Sequence, residues 1–377
     1  MNRTHGVYYQ HLGDYSDLVK AANRCCQLNP KAKPGKATQR KLLAMLSFKP
    51  GPDKPKSVRI EQRWSKGGVD GKLVSWSLGY GPRTEAYLLK PSGAKGKLPA
   101  VIALHDHGGF KFYGKEKIAD GPGRMPKILG PFRDQCYAGR AFANELAKQG
   151  YIVLVPDVFL WGSRKFDKQV LLSAGMDERC PKVADSSQAV QYNRLCMPHE
   201  HVVEKYCSLL GTTLAGVVNY EDRVATAYLK SQKDVKPNCI GCVGLSGGGM
   251  RSALLQGTCD DISAAVIIGA MSTYPGLYDH NIICHTWMLF PSGWTNHGDW
   301  SDIAACRAPS PVMVQNDIDD SLYTMQGMRA ADRRMASHYS AVGARKNYVC
   351  KFYPGHHKFD LPMQADAFAF FDKHLRA

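Results

Sequence analysis

"CIGCVGLSGGGMRSALLQG", Cys239–Gly257, decides the fold. Its first seven residues form a short apolar run, as expected of a strand buried on both faces. Its end, from Gly248, reads as a helix. Between the two stands Ser246, with Gly244 and Gly248 completing the pattern Gly-x-Ser-x-Gly. A strand that turns at once into a helix forces the residue at the turn into a strained backbone conformation. Side chains on its neighbours would clash, so glycines stand there. The hydroxyl is then held at a helix N-terminus, where the dipole favours developing negative charge. In this strand–turn–helix context the pattern is that of a nucleophile elbow.

The segments around the elbow repeat its grammar. "PAVIALH" from Pro99 and "YIVLVPD" from Tyr151 are apolar strands, and "GRAFANELAKQG" between them is helical and ends on a glycine stop. "YEDRVATAYLKSQ" is the helix that leads into the elbow strand. After the elbow come strand "AAVIIGA", strand "PVMVQN", the long helix "YTMQGMRAADRRMASHY", strand "NYVCKFYPG" and a closing helix "PMQADAFAFFDKHL". Doubly buried strands alternating with helices predict a mostly parallel sheet covered by helices on both faces. Upstream, "VRIEQRWS", "KLVSWSLGY" and "TEAYLLKP" are separated by turn signals and predict an antiparallel edge to that sheet.

Residues 1–57 read as a basic N-terminal extension with two short helices, followed by one α/β domain over 58–377. Two insertions break the rhythm, near 162–211 (with Cys180 and Cys196) and 272–307. Both follow strands, and in open α/β sheets ligands bind beyond the carboxyl ends of the strands. Both are therefore expected to wall a cleft. Trp287, Trp294 and Trp300 in the second insertion either stack on a substrate or fill the core of that wall.

The 377 residues are 44% hydrophobic and carry a formal charge of +16. Eleven Lys and Arg against three Asp place +8 of that charge in residues 1–57. This reads as a solvated arm, because no reader motif or interleaved aromatics point to specific nucleic-acid binding. No apolar run is long enough to span a membrane, and the first residues lack a signal-peptide pattern, so a cytoplasmic location is expected. The twelve cysteines show no paired metal or disulfide spacing and are expected to be reduced thiols.

A serine hydroxyl needs a base, and the base needs an orienting carboxylate, in the chain order Ser, acid, His. "QNDIDDSLY" follows strand "PVMVQ" and offers Asp317, Asp319 and Asp320. Asp320 is favoured, four positions past the strand with Leu322 as an anchor; Asp317 is the alternative. "YPGHHKFD" offers His356 and His357, of which His357 is favoured. His105 and His107 come too early in the chain. The oxyanion needs backbone donors. The Gly247 amide is one, and the loop "HDHGGF" should supply the other through Gly109 and Phe110. Neither a metal nor an organic cofactor is expected.

This set of segments resembles the α/β-hydrolase superfamily, and within it the dienelactone-hydrolase-like and acetyl-xylan-esterase-like branch, over about residues 83–377. The resemblance implies a triad of Ser246, Asp320 and His357. Its Gly-x-His-x-Phe setting points to His357, with Gly355 and Phe359. Asp157, Gly162 and Arg164 match a segment that braces the cleft. The implied activity is carboxylic-ester hydrolysis through an acyl-enzyme, on acetylated or otherwise esterified carbohydrates. The positive charge would suit acidic substrates such as uronate esters. Dienelactone hydrolases are known with a cysteine nucleophile, and position 246 is serine instead. The elbow with its second glycine also resembles prolyl-oligopeptidase-type peptidases, whose extra propeller residues 1–82 are too few to build. A hydrolase-fold scaffold without catalysis is the remaining alternative.

Overall fold

The computed structural model describes residues 8–178, 187–278 and 280–376. Cys180 lies outside them. Nine strands form one sheet: β1 (Lys56–Lys66), β2 (Val69–Ser77), β3 (Thr84–Pro91), β4 (Leu98–Leu104), β5 (Ile152–Pro156), β6 (Val235–Leu245), β7 (Ala264–Ile268), β8 (Val312–Asp317) and β9 (Tyr348–Tyr353). Their spatial order is β1-β2-β3-β5-β4-β6-β7-β8-β9. β1 to β3 pair antiparallel with one another, and β3 pairs antiparallel with β5. From β5 to β9 every pairing is parallel. The expected architecture, a parallel sheet with an antiparallel N-terminal edge, is the one observed.

The helices are α1 (Leu18–Cys25), α2 (Lys36–Leu46), α3 (Leu129–Tyr137), α4 (Phe142–Lys148), α5 (Lys168–Ser173), α6 (Gln188–Leu209), α7 (Leu214–Lys230), α8 (Gly247–Thr258), α9 (Trp300–Ala305), α10 (Met325–Ala341) and α11 (Leu361–Leu375). Strand side chains alternate between faces, and β4 shows the result. Ile102 and Leu104 join one core with α2, α7 and α8; Val101 and Ala103 join another with α4 and α11. Such strands read as unbroken apolar runs because both faces are covered. Leu42 and Leu46 of α2 are buried in the first of these cores.

The elbow is held by close backbone packing. A Cβ on Gly248 would lie 2.1 Å from the Leu104 carbonyl oxygen, and one on Gly244 would lie 2.4 Å from the Gly248 carbonyl carbon. Only glycines let α8 start this close to β4 and β6. Beneath the elbow, Arg251 of α8 pairs with Asp222 of α7 at 2.6 Å, and both are buried. The Arg251 guanidinium also donates to the His105 carbonyl at 3.3 Å, tying the helix to the loop after β4.

β4 and β6 lead directly into His105 and Ser246, β8 ends on Asp317, and β9 leads into the 354–359 loop. The topology therefore brings to one edge of the sheet the segments singled out in the sequence. No helix among the described residues is long and apolar enough to cross a membrane.

Candidate active site

Ser246 has φ 58° and ψ −121° and stands between the last residue of β6 and the first of α8. This is the strained backbone expected of an elbow. Its amide donates to the Ile268 carbonyl at 2.8 Å, which ties the turn to β7. Ser246 is half-buried and lines a cavity of about 200 Å³ together with Gly247, His107, His285, Thr286 and His357.

His357 enters this cavity from the loop after β9. Its Nδ1 lies 2.7 Å from Asp320 Oδ2. A carboxylate accepts, so the ring proton sits on Nδ1 and Nε2 is left with its lone pair. The second Asp320 oxygen accepts from the Leu322 amide at 2.9 Å, the anchoring expected from the sequence. Burial pushes His357 towards its neutral form. The bond to Asp320 and the charges of Asp320 and Asp317 outweigh burial, and the net shift is upward. His357 Nε2 is buried without a hydrogen-bond partner among the described residues. No bond to Ser246 Oγ is drawn in this structure; such contacts commonly tighten when substrate binds.

The alternatives separate cleanly. Asp317 accepts from the Lys358 amide at 3.0 Å, inside the same loop junction, and not from the His357 ring. Burial pushes its carboxyl up to about 7. His356 is exposed, and its Nδ1 lies 3.2 Å from the Asp319 carbonyl, outside the cavity. Asp319 accepts from the Gly355 amide. His105 is buried, with Nδ1 against the Asp106 carbonyl; burial, with Arg251 and Lys117 nearby, holds it well below the ordinary imidazole value. His285 also lines the cavity, and burial pushes it down to about 4, so it stays neutral.

The loop after β4 corrects the expectation for the oxyanion donors. The Phe110 amide donates to the His107 carbonyl at 3.1 Å, and the Gly109 amide donates to His107 Nδ1 at 3.1 Å. Both are used inside their own turn. The amide that approaches the elbow belongs to His107: a Cβ on Gly247 would lie 2.6 Å from its nitrogen. The His107 amide has no acceptor among the described residues. Gly247 is the first residue of α8, so its own N–H lacks an intrahelical partner.

Three buried lysines that the sequence did not single out hold this loop. Lys117 Nζ donates to the Asp106 carbonyl at 2.5 Å and to the His107 carbonyl at 3.2 Å, and lies 3.1 Å from the Asp106 carboxylate. Tyr137 Oη donates to the other Asp106 oxygen. Lys115 pairs with Asp157 at 2.9 Å. Lys111 pairs with Glu200 of α6 at 2.5 Å. Buried ions need such partners: Lys111 pins the loop to α6 and Lys115 pins it to the residue after β5, while Lys117 closes it on itself.

The bracing segment behaves as its resemblance implied. Asp157 accepts from the Lys115 and Ser163 amides, and Gly162 packs against its carboxylate. Arg164 pairs with Glu221 and donates to the carbonyls of Tyr80 and Pro82.

The tryptophans divide. Trp294 and Trp300 are fully buried, and their indole N–H groups donate to the Asp299 and Ala270 carbonyls. They fill the wall and cannot stack on a substrate. Trp287 is 36% exposed and packs against His201 and Phe290, beside the cavity but not lining it. The insertion near 272–307 does wall the site, through Cys284, His285 and Thr286. The insertion near 162–211 carries α6 and meets the site from behind, through Glu200.

A larger apolar cleft of about 730 Å³ lies elsewhere, lined by Phe166, Val203 and Tyr206, with His199 and Cys207 also on its wall; burial raises the Cys207 thiol to about 12 and lowers His199, so neither is activated there. Among the described residues, no group of three or more His, Cys, Asp or Glu is arranged to hold a metal ion. Eleven cysteines among them are free thiols.

No family model matches the sequence. YtaP of Bacillus subtilis (strain 168), provisionally named a hydrolase, is 24% identical over 302 residues, 80% of this chain and 86% of its own. A protein from Bacteroides fragilis NCTC 9343, provisionally described as an acetyl xylan esterase, has a TM-score of 0.65 at 18% identity, covering 94% of this chain and 84% of that one. A glucuronoyl esterase from Solibacter usitatus has a TM-score of 0.61 at 14% identity, covering 89% and 91%. At these identities the likeness speaks for architecture. With its strand order, its strained serine elbow and these neighbours, the chain has the α/β-hydrolase fold.

Proposed function

We propose that the protein is a serine carboxylic-ester hydrolase in which Ser246, His357 and Asp320 act as the triad. The observation that carries this reading is the His357–Asp320 bond of 2.7 Å, which leaves Nε2 unprotonated and unpartnered in the cavity that also holds Ser246.

Ser246 Oγ attacks the ester carbonyl carbon while its proton passes to His357 Nε2. The carbonyl π electrons move to oxygen, where the amides of Gly247 and His107 receive the negative charge. As the tetrahedral intermediate collapses, the C–O bond to the alcohol breaks and His357 returns the proton to the leaving oxygen. Water then attacks the acyl-enzyme, giving a proton to the same nitrogen. The second collapse releases the acid and restores Ser246. Asp320 keeps the imidazole in the required tautomer and stabilises its charged form throughout.

The cavity of about 200 Å³ favours a short acyl group such as acetyl. The neighbours described as acetyl xylan and glucuronoyl esterases support a carbohydrate as the alcohol or acid portion.

The test is hydrolysis of p-nitrophenyl acetate, acetylated xylo-oligosaccharides and a methyl glucuronate by wild type and Ser246→Ala. The reading expects turnover of at least the short-chain ester, abolished in the variant, with an unchanged circular dichroism spectrum. An inactive wild type, or a variant that keeps its rate, overturns it.

A further inference from the structure

Glu200 lies on α6 and is 4% exposed. Its carboxylate accepts from both sides. On one oxygen it meets Lys111 Nζ at 2.5 Å and His107 Nε2 at 3.0 Å. On the other it takes Thr286 Oγ1 at 2.6 Å and the Trp287 amide at 3.1 Å. These donors come from the two segments that contribute His107 and Thr286 to the cavity wall. Burial would raise the Glu200 carboxyl, but Lys111 and His107 outweigh this and hold it well below the usual carboxylate range. It is therefore an acceptor only.

The consequence falls on His107. The Gly109 amide donates to His107 Nδ1, so that nitrogen carries no proton. The ring proton must sit on Nε2, where Glu200 accepts it. Glu200 thus selects the tautomer that lets Nδ1 hold the tight turn at Gly109. The same turn sets the His107 backbone against Gly247, and Trp161 Nε1 and Lys117 Nζ hold the His107 carbonyl from behind.

We propose that Glu200 is a positioning residue for ester hydrolysis: through His107 it keeps the residue-107 amide in register with the Gly247 amide, and through Thr286 it holds the facing wall against the cavity. The inference rests on the esterase reading above. It assigns to an insertion helix a part in stabilising the oxyanion, although Glu200 itself touches no substrate.

The experiment uses two variants of the full chain. Glu200→Gln keeps the shape and removes the charge, and leaves the buried Lys111 ammonium facing a neutral amide. The double variant Glu200→Gln/Lys111→Met also removes the buried ammonium, so no unpaired charge remains, while the amide oxygen still accepts from Thr286 Oγ1 and the Trp287 amide. With p-nitrophenyl acetate, kcat is expected to fall about 30- to 100-fold in both, towards the cost of losing an oxyanion donor, while KM changes little. Tm is expected to fall in Glu200→Gln and to recover in the double variant without recovery of kcat. Recovery of kcat together with Tm would make Glu200 a strut only, and an unchanged kcat in Glu200→Gln would overturn the proposal outright. Imidazole ¹⁵N spectra separate this from failure of the esterase reading. His107 should be protonated on Nε2 in wild type and lose that preference in Glu200→Gln, whatever the protein hydrolyses. A His107 proton on Nδ1 in wild type overturns the positioning role on its own.

Discussion

Gly248→Ala tests the link between backbone packing and chemistry. The new methyl carbon would lie 2.1 Å from the Leu104 carbonyl oxygen and 3.1 Å from that of His105. Contact distance for such a pair is about 3.2 Å, so α8 and β4 must separate by roughly 1 Å. Neither yields readily: β4 lies between β5 and β6, and every residue of α8 is buried. Overpacking of this kind costs about 1–3 kcal/mol, with the upper end expected because backbone and not a side chain is displaced. The same movement shifts Ser246 and the Gly247 amide relative to His107, and a misplacement of about 1 Å costs on the order of 10²-fold in rate. The assay pairs thermal melting with kcat/KM for p-nitrophenyl acetate. Gly109→Ala is the control: a Cβ there meets nothing within 4 Å, and only its φ of 60° opposes the change. It should cost roughly 1 kcal/mol in stability. A Gly248→Ala protein with wild-type Tm and rate would mean that the α8–β4 approach does not set the position of Ser246.

Further outcomes concern the acid and the base. Asp320→Asn should lower kcat on the order of 10³- to 10⁴-fold without loss of fold, because an amide cannot hold the His357 tautomer as the carboxylate does; His356→Ala should leave kcat unchanged. The pH profile of kcat/KM should rise as His357 loses its proton. Its midpoint should lie above the ordinary value of 6.5, since the bond to Asp320 and its charge outweigh burial, and removing Asp320 should move the midpoint down. Asp317, pushed up to about 7 from 3.8, keeps its proton when folded and loses it when unfolded. Wild-type stability should therefore fall as pH rises across that interval, and Asp317→Asn should flatten the dependence in denaturation curves taken from pH 4 to 8.

How far the sequence could be read depended on whether a signal was local. β4, β5 and β7 were legible because burial on both faces leaves an uninterrupted apolar run. The elbow was legible because close backbone approach demands glycine. Asp320 and His357 were legible from chain order and the anchoring residues beside them. α6 was not. Pro198 interrupts it, and its buried positions include Asn193, His199, Glu200 and Glu204, so no apolar stripe marks it. Lys111, Lys115 and Lys117 look like surface charge until Glu200, Asp157 and Asp106 are brought to them from distant positions. The loop "HDHGGF" was identifiable, yet which of its amides stays free depends on a turn closed by a side chain. Trp294 and Trp300 differ from Trp287 only in facing the core, and composition carries no information on facing.

The central claim is that Ser246 is a nucleophile activated by His357. Incubation with a fluorophosphonate followed by peptide mass spectrometry tests it directly. A single adduct is expected on Ser246, formed much more slowly in His357→Ala. Adduct on another residue, or none on a folded protein, would contradict it.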